Sequence, residues 1–149
     1  VSPKGLITTN NVEELDIQTI GEESVINKTL EKGKEAQNIT VKSEIINNNW
    51  IRYDVQNCVE LFFHLKNNKL FRLTTLDNYQ GKLFEEIGVG TTEKELLEIE
   101  PSFVYNDFEE VWESEKGIFI ETSAETNTVK WISVYIRELD NADFENANW

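Results

Sequence analysis

Gly88-Val89-Gly90-Thr91-Thr92-Glu93-Lys94-Glu95-Leu96-Leu97 reads as the end of an extended segment, a glycine turn and the capped start of a helix. Thr92 and Glu95 have capping-box spacing. In that arrangement the hydroxyl accepts an N–H of the first turn and the carboxylate reaches back to the cap. Leu96, Leu97 and Ile99 give the helix an apolar side, and Pro101 stops it. A weaker copy, Ile20-Gly21-Glu22-Glu23-Ser24-Val25-Ile26, lies about seventy residues upstream. There Ser24 is a candidate cap for a short helix, Val25 to Lys32, ending at Gly33.

Strand patterns follow both copies. Ile39 to Ile46 alternates, and Trp50 to Val55 is strand-like. Val59 to Leu65 and Leu70 to Leu76 flank Asn67-Asn68, a pair that tolerates the positive φ of a tight hairpin turn. In the second half, four short strands are predicted: Phe103 to Tyr105, Glu110 to Glu113, Ile118 to Thr122, and Val129 to Ile136. The phases agree between the halves. Leu61 and Phe63 correspond to Ile118 and Ile120, and Phe71 and Leu73 to Ile132 and Val134, so these sets are expected to line one face.

The resulting expectation is an α+β fold: two tandem repeats of a short helix plus antiparallel strands, forming one curved sheet with helices on one face. The chain of 149 residues reads as a single domain, with repeat one over about 12–76, repeat two over about 82–137 and an acidic tail over 138–149. That tail is expected either to fray or to dock through Phe144 and Trp149.

If Ile132, Val134 and Ile136 point inward, then Trp131, Ser133, Tyr135 and Arg137 point outward. Phe119 and Glu121 share that side, as do Phe62, His64, Leu70 and Arg72. Trp, Tyr and Arg dominate binding hot spots because they bury much area with few torsions. The competing expectation is a second layer, made by the N-terminal segment or the tail, over the same row. Around Trp112 runs an acidic stretch, Asp107, Glu109, Glu110, Glu113 and Glu115. It is either a solvated edge or the complement of a basic cleft.

Charge narrows the function classes. With 28 acidic against 14 basic residues the net charge is -14, which weighs against nucleic acid and suits a basic protein partner. One His and one Cys argue against a His/Cys zinc site, and no calcium loop stands out, so no metal or cofactor is expected. Cys58 reads as a small buried hydrophobe, with no second cysteine to pair with. Gly88-Val89-Gly90 lacks the third glycine and the basic residue of a phosphate loop. No nucleophile–base pair accompanies His64, so the chain is not expected to be an enzyme. No apolar run is long enough to span a membrane, and no secretory leader pattern opens the chain; the expected compartment is the cytoplasm.

The repeated glycine-turn-helix plan, Gly90-Thr91-Thr92 with Gly21 to Ser24, resembles the β-lactamase inhibitor protein family. In that family each repeat carries a Gly-Met-Thr motif and four strands, and a concave sheet grips a protein; Gly90-Thr91-Thr92 departs from the motif in lacking the Met. The stretch from Gly81 to Leu139 also resembles immunity proteins of polymorphic or contact-dependent bacterial toxin systems. These resemblances imply an inhibitor that neutralises a cognate toxin, such as a basic nuclease, by direct contact as a monomer. The expected partner-binding residues are Asp107, Glu109, Glu110, Trp112, Glu113, Glu115, Phe119, Glu121, Trp131 and Tyr135. The alternative is a module that binds a small molecule or glycan on the open sheet face through Trp131, Tyr135 and Phe119.

Overall fold

The structure is a computed structural model and describes residues 6–7 and 40–149. Its strands are β1 (Leu6–Ile7), β2 (Val41–Ile45), β3 (Trp50–Val55), β4 (Val59–His64), β5 (Leu70–Thr75), β6 (Lys82–Leu83), β7 (Val104–Asn106), β8 (Val111–Ser114), β9 (Ile118–Thr122) and β10 (Val129–Tyr135). Among the described residues there is one α-helix, α1 (Glu93–Ile99), and there are two 3-10 turns, Arg137–Asp140 and Phe144–Asn146.

The expected α+β plan with helices on one face is therefore corrected. The architecture is an eight-stranded antiparallel sheet ordered β2-β3-β4-β5-β10-β9-β8-β7, accompanied among the described residues by one helix of seven residues. The alternating apolar runs dominate because each strand buries a face against its neighbours, whereas a two-turn helix has little stability of its own. The helix expected at Val25 to Lys32 lies outside the described residues. β1 and β6 form a separate parallel pair.

The large sheet consists of two four-stranded meanders, β2–β5 and β7–β10, joined through their last strands. At this seam Ser133, Val134 and Tyr135 face Thr74, Leu73 and Arg72. Antiparallel partners share a face. One face accordingly collects Val59, Leu61, Phe63, Leu73, Ile118, Ile120, Ile132 and Val134. These belong to one core with Leu83, Ile87, Leu96 and Phe103, from the segment that carries β6 and α1.

The helix start follows its local code. Thr92 is the N-cap, its side chain accepts from the Glu95 N–H, and the Glu95 carboxylate accepts from the Thr92 N–H at 2.9 Å. The Glu93 carboxylate then accepts from Thr122 Oγ1 at 2.8 Å and Trp112 Nε1 at 3.4 Å, which seats the helix on the Ile120 side. Leu96 is fully buried there, and burying such a side chain contributes roughly 1.5–3 kcal/mol.

Strand phase is interrupted at two places: between Val129 and Trp131, where β10 slips against β9, and in the β4–β5 hairpin. β4 and β5 slip register between Phe62 and Phe63, so that Phe62 faces Arg72 while Phe63 faces Leu70. Phe71 is the extra residue of this bulge. Its ring meets Phe62 at 6.3 Å and Trp50 at 4.9 Å, on the face opposite Leu73. The hairpin loop also differs from a two-residue turn. The Asn68 N–H donates to the His64 carbonyl and the His64 N–H donates to Lys69, with Asn68 at φ 57°.

Phe71 becomes the anchor of the C-terminal segment. Phe144 stacks on Trp149 with centroids 5.0 Å apart and meets Phe71 edge-on at 5.1 Å. His64 lies against both tail rings. Lys66 Nζ donates to the Glu145 carbonyl at 2.8 Å, and Lys69 Nζ to the Trp149 carbonyl at 3.0 Å. The tail is docked, and it forms the second layer over one end of the outer face.

Candidate functional site

The face that α1 does not cover carries, across the seam, Glu60, Phe62, Arg72, Thr74, Ser133, Tyr135, Trp131, Phe119, Glu121 and Glu113. Arg72 sits at its centre. Its guanidinium lies 4.5 Å from the Phe62 ring centroid and 4.7 Å from that of Phe119, and Nε donates to Thr74 Oγ1 at 3.1 Å. Burial pulls its pKa down to about 10, against the opposing influence of Glu60, so it remains a cation at neutral pH. The two rings and the charge favour one another through the aromatic quadrupole.

Five of the ten expected contact residues share this face. Phe119 faces Glu113 on one side and Ser133 on the other, and its ring lies 6.0 Å from Tyr135. Glu121 faces Trp131, whose indole N–H donates to Asp77 at 3.2 Å and whose ring holds Lys130 Nζ at 4.3 Å. All four are half-buried, while Glu113 is exposed. Arg137 does not extend the row; it enters a 3-10 turn and pairs with Asp140 at 3.3 Å. Leu70 leaves the row through the bulge and sits opposite Phe63. His64 is buried under the tail, accepting at Nδ1 from the Lys66 N–H, with Nε2 3.2 Å from Glu145.

Trp112 belongs to the other side. It faces Ile120 and Tyr105 in register, and its ring lies 5.1 Å from that of Tyr105. Asp107, Glu109 and Glu110 occupy the turn between β7 and β8. Glu115 lies at the opposite end of β8, in the turn to β9. There Gly117, at φ +76°, has no room for a side chain: a Cβ would meet the Tyr135 carbonyl at 2.5 Å. This close approach lets the Tyr135 N–H donate to the Gly117 carbonyl at 2.9 Å, which fixes the end of β10. Beside it opens a cleft of about 830 Å³ lined in part by Ser102, Val104, Glu113, Tyr135, Arg137 and Asp140. Burial, assisted by Asp140, pushes the Tyr135 hydroxyl above its ordinary pKa.

The β7–β8 turn is tightly built. Asn106 Oδ1 accepts from the N–H groups of Phe108 and Glu109 at 3.0 and 3.1 Å, and its Nδ2 donates to Glu113 Oε1 at 3.0 Å. Glu110 adopts φ +56° to close the turn. The consequence is Phe108, which projects 92 % exposed between the acids. The expected contact residues include the flanking acids and omit this ring, whose signal in the sequence is an aromatic residue between acids inside a turn. Among the described residues Asp107, Glu109, Glu110, Glu113 and Glu115 form no ion pair, whereas Glu44, Glu60 and Glu100 are held by Arg52, Arg52 and Lys116.

The described residues contain no group of three or more His, Cys, Asp or Glu placed to hold a metal. No described helix is long and apolar enough to cross a membrane. No protein-family model, curated protein or solved structure matches the chain.

Proposed function

We propose that this chain is an inhibitor, of the immunity-protein kind, that binds and neutralises a basic toxin domain by direct contact. The observation that carries the reading is the unpaired charge on one hairpin. Asp107, Glu109, Glu110 and Glu113 are all exposed and without cationic partners among the described residues, while the chain as a whole carries -14. A concentrated field of one sign accelerates encounter with a partner of the other sign. Tyr135, half-buried and beside Glu113 in the cleft, supplies area that a polar rim alone lacks.

The alternative, a small-molecule or glycan module on the sheet face, is the weaker reading. A sugar needs an open aromatic platform, and the guanidinium of Arg72 already lies over Phe119. Trp131 is engaged by Lys130 and Asp77.

The test is protection in living cells. If a secreted protein with a variable C-terminal domain is encoded beside this chain, that domain is expressed alone and together with it. Growth arrest relieved by co-expression is the expected result. Equal toxicity in both cases, or no such neighbour, overturns the reading.

A further inference from the structure

We infer that the tip of the β7–β8 hairpin is the principal partner contact, with Phe108 seated in an apolar recess rimmed by Lys or Arg on a basic protein. This rests on the reading of the chain as an inhibitor of such a protein, and it adds the element and the chemistry of the contact. A single exposed apolar residue is ordinary on a protein surface, but beside this ring, which is 92 % exposed, the same edge hairpin shows Val104 at 70 % on the face it shares with Glu113, while Tyr105 lies on the other face against Trp112. The ring is also presented in a defined place, because Asn106 fixes the backbone at Phe108 and Glu109. The backbone that carries the ring is ordered before binding, which removes that part of the cost of association.

The surrounding charge selects the partner. Asp107, Glu109 and Glu110 flank the ring, are exposed, and form no ion pair among the described residues. An apolar recess with an acidic rim would meet them at the cost of like-charge repulsion; a basic rim satisfies ring and carboxylates together. The far edge of the sheet offers a contrast. Ile45 on β2 is 67 % exposed but pairs with Ile51, and the one acid beside it in the strand, Glu44, is held by Arg52, so no unpaired charge of one sign flanks it and it gives no such selection.

The experiment measures binding of the purified toxin domain encoded beside the chain to the wild type and to Phe108→Ala, Phe108→Leu and Ile45→Ala. Phe108→Ala is expected to weaken binding by roughly 30-fold or more, as for an aromatic hot spot, chiefly through faster dissociation. Phe108→Leu is expected to retain most of the affinity, and Ile45→Ala all of it. Melting temperatures should match the wild type, since the ring contributes little to the fold. Wild-type binding with Phe108→Ala within about threefold of it would overturn the hairpin inference and leave the inhibitor reading standing. No binding by the wild type would overturn both.

Discussion

Thr74 and Ser133 meet through their hydroxyl oxygens at 2.7 Å, fully enclosed at the seam where the two meanders join. Thr74 Oγ1 already accepts from Arg72 Nε, so its own hydrogen is available to Ser133. The pair therefore links the seam to the arginine that occupies the centre of the outer face. Ser133→Ala is expected to lower stability by about 1–2 kcal/mol, because it leaves a buried hydroxyl short of a partner. Combining it with Thr74→Val should cost less than the sum of the single changes, as expected for contacting residues. Urea denaturation of the four proteins is the measurement, and strict additivity would show that the hydroxyls do not interact.

Carboxylates at the helix cap and on the outer face respond oppositely to acid. The backbone N–H of Thr92 and then its hydroxyl hold Glu95 below its ordinary pKa, and Lys116, then Ser102, do the same for Glu100. A depressed folded-state pKa gives stability that is present above the ordinary carboxylate value and is lost as pH falls through the depressed one. Glu60 is raised, burial outweighing Arg52, so its protonation favours the folded state as pH falls. Glu95→Gln should therefore flatten the loss of stability below about pH 4.5, and Glu60→Gln should steepen it. Chemical denaturation at a series of pH values checks both signs.

The cap itself was legible because it is a local code: Thr92, Glu95 and Pro101 specify a helix start and stop within ten positions. Strand phase was legible for Leu61, Ile120, Ile132 and Val134 for the same reason, since period two needs no tertiary information. The class of the fold was not legible. The glycine-turn motif drew weight toward helices, but α1 is two turns long and the sheet carries most of the described core. Phe71 reads as an inward residue by alternation and is turned outward by a bulge that no local pattern announces. Trp112 has acids on both sides in sequence, yet its side was decided by a register with Ile120. Phe108 was hidden by the charges around it.

The tail makes the cost of the bulge recoverable: Phe71 turned outward needs cover, and Phe144 with Trp149 supplies it. Phe144 is 4 % exposed. Phe144→Ala is expected to destabilise the protein by about 3–4 kcal/mol, and to shift tryptophan emission to the red as Trp149 and Trp50 become solvated. Loss of less than about 1 kcal/mol, with unchanged emission, would mean that the segment is not a structural layer.

The acidic hairpin makes a kinetic prediction distinct from that of its ring. Glu109 and Glu110 are the informative pair to reverse, because neither side chain supports the turn, whereas Glu113 accepts from Asn106 Nδ2 and its loss would loosen the tip. Glu109→Lys with Glu110→Lys changes the net charge by four units while leaving Asn106 and its hydrogen bonds in place. If a basic partner is drawn in by this field, the double variant should associate about tenfold or more slowly at low salt, and the difference should shrink as ionic strength rises toward about 0.5 M, where screening is short-ranged. Dissociation should change less, because rim charges act mainly on encounter. Stopped-flow or surface-based association rates at several salt concentrations, with a matched melting temperature as control, separate the two effects. An association rate that is unchanged at low salt would remove the acidic turn from recognition, even if Phe108 is retained as an anchor.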